Sequence, residues 1–232
     1  MKHVIGGRSA ALLLVLAATL ALGGLRGLGA AESAKSVAVT VKATGEVLLT
    51  AAGTKSERGL KAGDRLSDGD RVRTGADGRA VLVFTDDKSQ LKLTPQTDLV
   101  LRATRAGSRV DKEVDMAGGT VWSKVTRQQG EFRIATPTSV ASVKGTAWWT
   151  RAGADLTEII TEEGIVALLS KRTGEAVDVP MGRTGSSDGD HSQVRDTTPE
   201  DQRGLERGEL KRVAVPISDG VQSRTLVIEY YE

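Results

Sequence analysis

Residues 78–93 read GRAVLVFTDDKSQLKL. Two apolar stretches, RAVLVF from Arg79 and QLKL from Gln90, flank the polar cluster Thr85-Asp86-Asp87. Val, Leu and Phe suit a pleated, buried surface, and Asp bonds readily to its own backbone in a turn. The stretch therefore predicts two strands joined by a hairpin turn at Asp86-Asp87. It carries no helical spacing of apolar residues.

The same pattern repeats on both sides. Further strands are predicted from Val37, Glu46, Asp98, Thr120, Glu131, Thr146, Leu156, Gly164 and Glu175. Turn clusters separate them at Asp68-Gly69-Asp70, Ala76-Asp77-Gly78, Ala117-Gly118-Gly119 and Glu162-Glu163-Gly164. Many short antiparallel strands at regular spacing predict an all-β sandwich or roll. The absence of βαβ alternation argues against Rossmann-like and hydrolase-like folds. Aromatic residues make up only 3% of the chain, so the core must be built from Val, Leu, Ile and Ala.

At the N-terminus, Lys2 and Arg8 precede an apolar run from Ser9, and Gly29 and Ala31 flank Ala30. This order predicts a secretory signal peptide over residues 1–31, cleaved after Ala31, and hence export to the periplasm or cell envelope. An uncleaved anchor is the alternative, since the apolar run is of marginal spanning length. Membrane association is expected only in that case. The chain has no Cys, which removes lipid attachment, thiol chemistry and disulfide support together. Of 32 basic and 30 acidic side chains, Lys2, Arg8 and Arg26 lie in the leader, leaving 29 against 30. These charges are interspersed, so the basic patch needed for nucleic acid is missing.

Beyond Met181 the sequence turns polar: GRTGSSDGDHSQVRDTTPEDQRG spans residues 182–204. A domain over 32–182 is therefore expected to be followed by a mostly irregular tail over 183–232. Thr198-Pro199-Glu200-Asp201 has the order of a short helix start, with a capping Thr, Pro at the first position and acids behind. SRTLVIEYYE at 223–232 predicts a terminal strand.

Glycine and apolar spacing carries a resemblance across residues 45–182. Gly45-Glu46-Val47 is followed by Leu60-Lys61-Ala62-Gly63-Asp64-Arg65-Leu66, Asp68-Gly69-Asp70-Arg71-Val72 and Thr74-Gly75. Then come Gly78 to Phe84, Leu91-Lys92-Leu93, Gly119-Thr120-Val121 and Phe132-Arg133-Ile134-Ala135-Thr136-Pro137. Val143-Lys144-Gly145-Thr146 and Glu163-Gly164-Ile165-Val166 complete the series. In this order the blocks resemble the FecR domain, the periplasmic part of the iron-dicitrate signalling regulator. The resemblance implies an all-β extracytoplasmic domain that mediates protein contacts in cell-surface signalling. Gly63, Gly69, Gly75, Gly78, Gly145, Thr146, Trp148 and Gly164 would then be structural residues. The Gly-Asp-Arg triplets at 63–65 and 69–71 are read as two tight turns needing positive φ. Family members that regulate a sigma factor carry a cytoplasmic helical region before their membrane span. Here only Met1 to Arg8 precede the apolar run, so the fold and binding role are carried over and the anti-sigma activity is not.

Chemistry-bearing patterns are sparse. Gly185-Ser186-Ser187-Asp188-Gly189 has the nucleophile-elbow pattern, but it sits in the polar tail with His191 only four residues from Ser187. A lone His leaves a catalytic zinc short of ligands, and the Asp-Gly-Asp triplets lack the ligand spacing for calcium. Glu162 and Glu163 are neighbours on opposite faces and do not converge as a glycosidase pair; they read as turn acids. No catalytic residue, cofactor or metal is expected. The leading reading is a non-catalytic binding or scaffold module contacting an envelope protein or cell-wall polysaccharide. An accessory component of cell-surface signalling is the alternative, with a glycan-active enzyme third.

The chain has three Trp, and two stand together in ASVKGTAWWT at 141–150. On a strand from Thr146, Thr146 and Trp148 share one face while Ala147, Trp149 and Arg151 share the other. Trp148 is assigned to the core. Trp149 with Arg151 is the candidate binding pair, since exposed Trp is a favoured interface anchor. Packing of Trp149 under the C-terminal tail is the competing reading.

Overall fold

The computed structural model describes residues 36–126, 130–205, 208–218 and 223–231. The predicted signal peptide lies outside these residues. The first strands are β1 (Ala38–Thr44), β2 (Val47–Thr50), β3 (Glu57–Gly59), β4 (Arg65–Leu66), β5 (Arg71–Thr74) and β6 (Arg79–Phe84). Then come β7 (Gln90–Leu93), β8 (Asp98–Ala106), β9 (Arg109–Lys124), β10 (Phe132–Ala135), β11 (Ser139–Val143) and β12 (Ala147–Ala152). The last are β13 (Thr157–Glu163), β14 (Ile165–Ser170), β15 (Ala176–Pro180), β16 (Arg183–Ser187), β17 (Ser192–Asp196), β18 (Leu210–Ser218) and β19 (Ser223–Tyr231). No helix occurs among the described residues. The all-β class expected from the alternation is the observed one.

Two sheets share the long strand β9. Sheet A runs β4–β1–β6–β7–β9–β12–β13–β16–β17. Sheet B runs β3–β2–β5–β8–β9–β10–β11–β14–β15, and only its β9–β10 pair is parallel. The inner faces meet in one core that includes Leu82, Phe84, Leu91 and Trp148 from sheet A, and Leu99, Val114, Phe132 and Leu168 from sheet B. The few aromatics cluster there: Phe132 stands edge-on to Phe84 at 5.6 Å and to Trp148 at 6.0 Å. Asp86 and Asp87 lie in the β6–β7 turn, where Asp87 Oδ1 accepts the Ser89 amide at 2.9 Å.

Ala117-Gly118-Gly119 is not a turn between strands. It is the bend at which β9 leaves β8 in sheet B and pairs with β12 in sheet A. Gly119 sits at φ +105°, and a Cβ there would lie 2.4 Å from Thr97 Cα. Positive φ and a backbone neighbour both exclude side chains. Gly119→Ala is therefore expected to cost at least ~1–3 kcal/mol, read as a lowered thermal midpoint.

The polar tail needs correction. Residues 183–196 form the hairpin β16–β17, and β16 pairs with β13 from Thr157↔Ser187 to Ile160↔Thr184. The irregular region therefore does not begin at 183. The sequence of these strands lacks an apolar alternation because their buried positions are polar: Thr184 and Ser187 are 1% exposed. Their hydroxyls are bonded within the fold, Thr184 to Thr197 at 3.0 Å and Ser187 to Ser192 at 3.1 Å. Gly185 leaves room for Val179, whose Cγ2 would be 2.4 Å from a Cβ. The helix expected from Thr198 is a turn instead. The terminal strand β19 pairs with β18 in a separate two-stranded sheet.

Candidate functional site

Across the outer face of sheet A, directly opposed residues form one row. It runs Lys42, Val81, Lys92, Trp122, Trp149, Ile160, Thr184 and Arg195. Residues opposite one another on adjacent strands share a face, so two indoles stand side by side with cations at both ends of the row. Glu162, two residues along from Ile160, lies on the same face. Its Oε2 accepts the Trp122 indole N–H at 3.1 Å and its Oε1 accepts that of Trp149 at 3.0 Å. The adjacent acid, Glu163, lies 3.6 Å from Lys124 Nζ. The two acids do not converge, as their spacing implied, but Glu162 is a strand residue that orients two rings rather than a turn acid.

Trp149 is 2% exposed. The exposure expected of an interface anchor is not met. Leu205 packs on the cluster of Trp122, Ala147, Trp149 and Ile160, so the C-terminal segment covers the ring. Arg151 reaches the same segment, with Nη2 donating to the Arg203 carbonyl at 3.2 Å and Nη1 lying 3.8 Å from Glu158. Trp148 lies on the inner face, fully buried, its Nε1 donating to Thr150 Oγ1 at 2.9 Å.

The covering turn is tied down by Asp201. Arg195 grips both its carboxylate oxygens, at 2.5 and 2.7 Å, and the Thr198 amide and hydroxyl donate at 2.7 and 2.9 Å. The Arg195 guanidinium, with Thr198, holds the Asp201 carboxyl well below the usual carboxylate range. A depressed native value means that the contribution is present above the unfolded pKa of about 3.9. It is lost as the pH falls through the native value. The thermal-midpoint gap between the chain and Asp201→Asn should therefore be widest near neutrality and shrink below about pH 4. A gap that grows on acidification would contradict this assignment.

Farther along, Ile228 of β19 seats on Val39, Val41, Val81 and Val83, and Gln90 Nε2 donates to the Glu229 carbonyl at 2.5 Å. A cleft of about 510 Å³ opens beside it, with Lys42, Arg79, Lys92 and Thr94 on the sheet side and Gly204 and Gly208 on the other. A second charged group was hidden from sequence reading. Lys112, whose side chain is fully buried, lies 2.7 Å from both Asp86 and Asp87 and over the Phe84 ring at 5.3 Å. The two turn acids thus also neutralise a core cation.

The remaining sequence-predicted residues are architectural. Gly63 and Gly69 have φ of +89° and +82°, as the tight turns required. A Cβ on Gly75 or Gly78 would lie 2.3 or 2.1 Å from an oxygen of Glu46. Gly145, Thr146 and Gly164 meet where strands cross between sheets; a Cβ on Gly164 would touch Thr146 Oγ1 at 3.0 Å. Asp70 accepts the Ser67 and Ala52 amides, which makes Asp68-Gly69-Asp70 a turn. Ser187 is buried while the His191 side chain is 88% exposed, so the elbow-like pentapeptide is simply strand and hairpin turn.

Residues 70–167, from the Asp70 turn to Ala167 within β14, match the FecR protein family. This segment is a FecR domain. It contains the sheet-switching strand β9 and both adjacent tryptophans. Two crystal structures, at 1.65 and 2.50 Å, of a "putative anti-sigma factor" from Parabacteroides distasonis ATCC 8503 also align. Each shows 12% identity and a TM-score of 0.47 over 57% of this chain, and the alignment spans 61% of that protein's chain. No curated protein matches this chain. The FecR match relates this segment to signalling regulators.

Proposed function

We propose that this chain is an exported, non-catalytic FecR-type binding module that contacts an envelope protein or cell-wall polysaccharide outside the cytoplasm. The FecR match over residues 70–167 carries the reading. The chemistry agrees with it: the carboxylates, indoles and hydroxyls at the candidate site orient one another within the fold. An accessory role in cell-surface signalling, beside a separate membrane regulator or receptor, is the second reading, and the same family match favours it.

Two measurements test this. Fractionation with N-terminal sequencing should find the protein outside the cytoplasm and beginning near Glu32; full-length protein held in the inner membrane would defeat the cleavage prediction. Photo-crosslinking in intact cells, from positions on the outer face of sheet A, should then recover a discrete partner. One membrane regulator or receptor supports signalling, cell-wall material supports scaffolding, and recovery of neither would defeat the binding reading.

A further inference from the structure

The main core is complete without the C-terminal segment: every residue in it lies at or before Val194. The strands β18 and β19 make ladder bonds only to each other among the described residues. An isolated two-stranded hairpin is marginal in water, so side-chain contacts with sheet A must hold it. Among the described residues those contacts form two separate patches: Ile228, Val213 and Tyr230 over the valines of β1 and β6, with Gln90 bonded to the Glu229 carbonyl, and the turn after Thr198 over Trp122 and Trp149, held by Leu205, Arg151 and the Arg195–Asp201 pair.

Unfilled space marks the seam between segment and sheet. Clefts of about 470, 510 and 470 Å³ follow it, beside Leu205, beside Gly204 and Gly208, and beside Leu210 and Val227. Protein interiors are packed to crystal-like density. These clefts open to solvent, so the margins of the segment are less closely packed than the core behind it. Yet the face it covers has the composition of a protein interface: paired Trp rings with Lys42, Arg79 and Lys92 alongside, and aromatic and Arg side chains dominate binding hot spots.

We infer that the outer face of sheet A is a protein-docking surface, covered in the free chain by residues 198–205, 208–218 and 223–231, and that the partner is a protein whose own β-hairpin takes the segment's place. The resident hairpin shows the chemistry required. One face presents apolar side chains, as Val213, Ile228 and Tyr230 do, and the other carries charges, as Arg212 and Glu229 do. The inference rests on the binding-module reading and gives that module its surface and its class of partner.

The chain has no Cys, which allows a clean lock. Val83→Cys with Ile228→Cys draws a pair from one buried cluster, and loss of both free thiols on oxidation marks the form in which segment and sheet are tied. The probe is a fluorescein-labelled peptide of residues 198–232. It should bind the reduced full-length protein by exchange, lose binding on oxidation and regain it on reduction. Equal binding by both forms, or by neither, would overturn the inference. Independently of the variant, hydrogen exchange on the unaltered chain should show β18 and β19 amides exchanging faster than those of β6, β9 and β12; equal protection would also overturn it. Crosslinking in cells separates the two proposals. Partner capture unaffected by the lock leaves the binding module standing without this surface. Peptide exchange with no cellular partner would overturn both the module and its docking surface, leaving only a displaceable cover. Capture of cell-wall polysaccharide by this face would overturn the protein-hairpin assignment.

Discussion

Trp149→Ala should lower stability by roughly 3–5 kcal/mol, as much as Trp148→Ala. Trp148 fills the centre between the sheets, against Phe132. Trp149 lies outside sheet A, yet is just as fully enclosed, by Trp122, Ile160 and Leu205. Its loss opens a large void and removes the indole donor from Glu162 Oε1. At about 2–4 °C per kcal/mol for a domain of this size, both variants should melt on the order of 10 °C lower. Trp149→Phe keeps most of the ring and deletes the N–H; it should cost less, about 1 kcal/mol for the hydrogen bond plus incomplete filling. A Trp149→Ala variant that melts like the parent would mean that the C-terminal segment does not enclose the ring. It would restore the exposed-anchor reading drawn from strand alternation.

The second large effect belongs to Lys112. Removing one partner of a buried ion pair costs roughly 3–5 kcal/mol, because the remaining charge is left without compensation. Lys112→Ala leaves Asp86 and Asp87, whose side chains are only 22% and 11% exposed, facing each other and the Phe84 ring. Lys112→Met fills the space but not the charge, so it should remain strongly destabilising. Adding Asp86→Asn and Asp87→Asn to Lys112→Met should recover much of the loss, since buried ion clusters replaced as a unit are often close to neutral. Urea unfolding of the single and triple variants checks this; a triple variant as weak as Lys112→Met alone would show that packing, not charge, decides the site.

Local features of the chain determined most strand positions. GRAVLVFTDDKSQLKL folds as read because its information is short-range: apolar side chains at strand spacing, and an Asp that bonds two residues along in the turn. Gly63 and Gly69 likewise declare their turns through a conformational need that no neighbour alters. The stretch Ala80 to Phe84 held a further clue. It is apolar at every position, and a strand without a polar face must be covered on both sides. What covers it, Ile228, lies far along the chain, and spacing cannot identify a partner at that separation.

Three things were decided only by tertiary structure. The strand at 183–187 is polar in sequence yet buried at Thr184 and Ser187, because neighbouring hydroxyls and the Asp201 carboxylate satisfy their hydrogen bonds. Asp86 and Asp87 meet Lys112 only because β9 runs past their turn. The environment of Trp149 was the last. Alternation along β12 determined that Trp149 and Trp148 face opposite ways, since successive side chains on a strand must. Whether the outward ring meets water, a partner or the chain itself depends on where the segment bearing Leu205 returns, and that is set by contacts between residues remote in sequence.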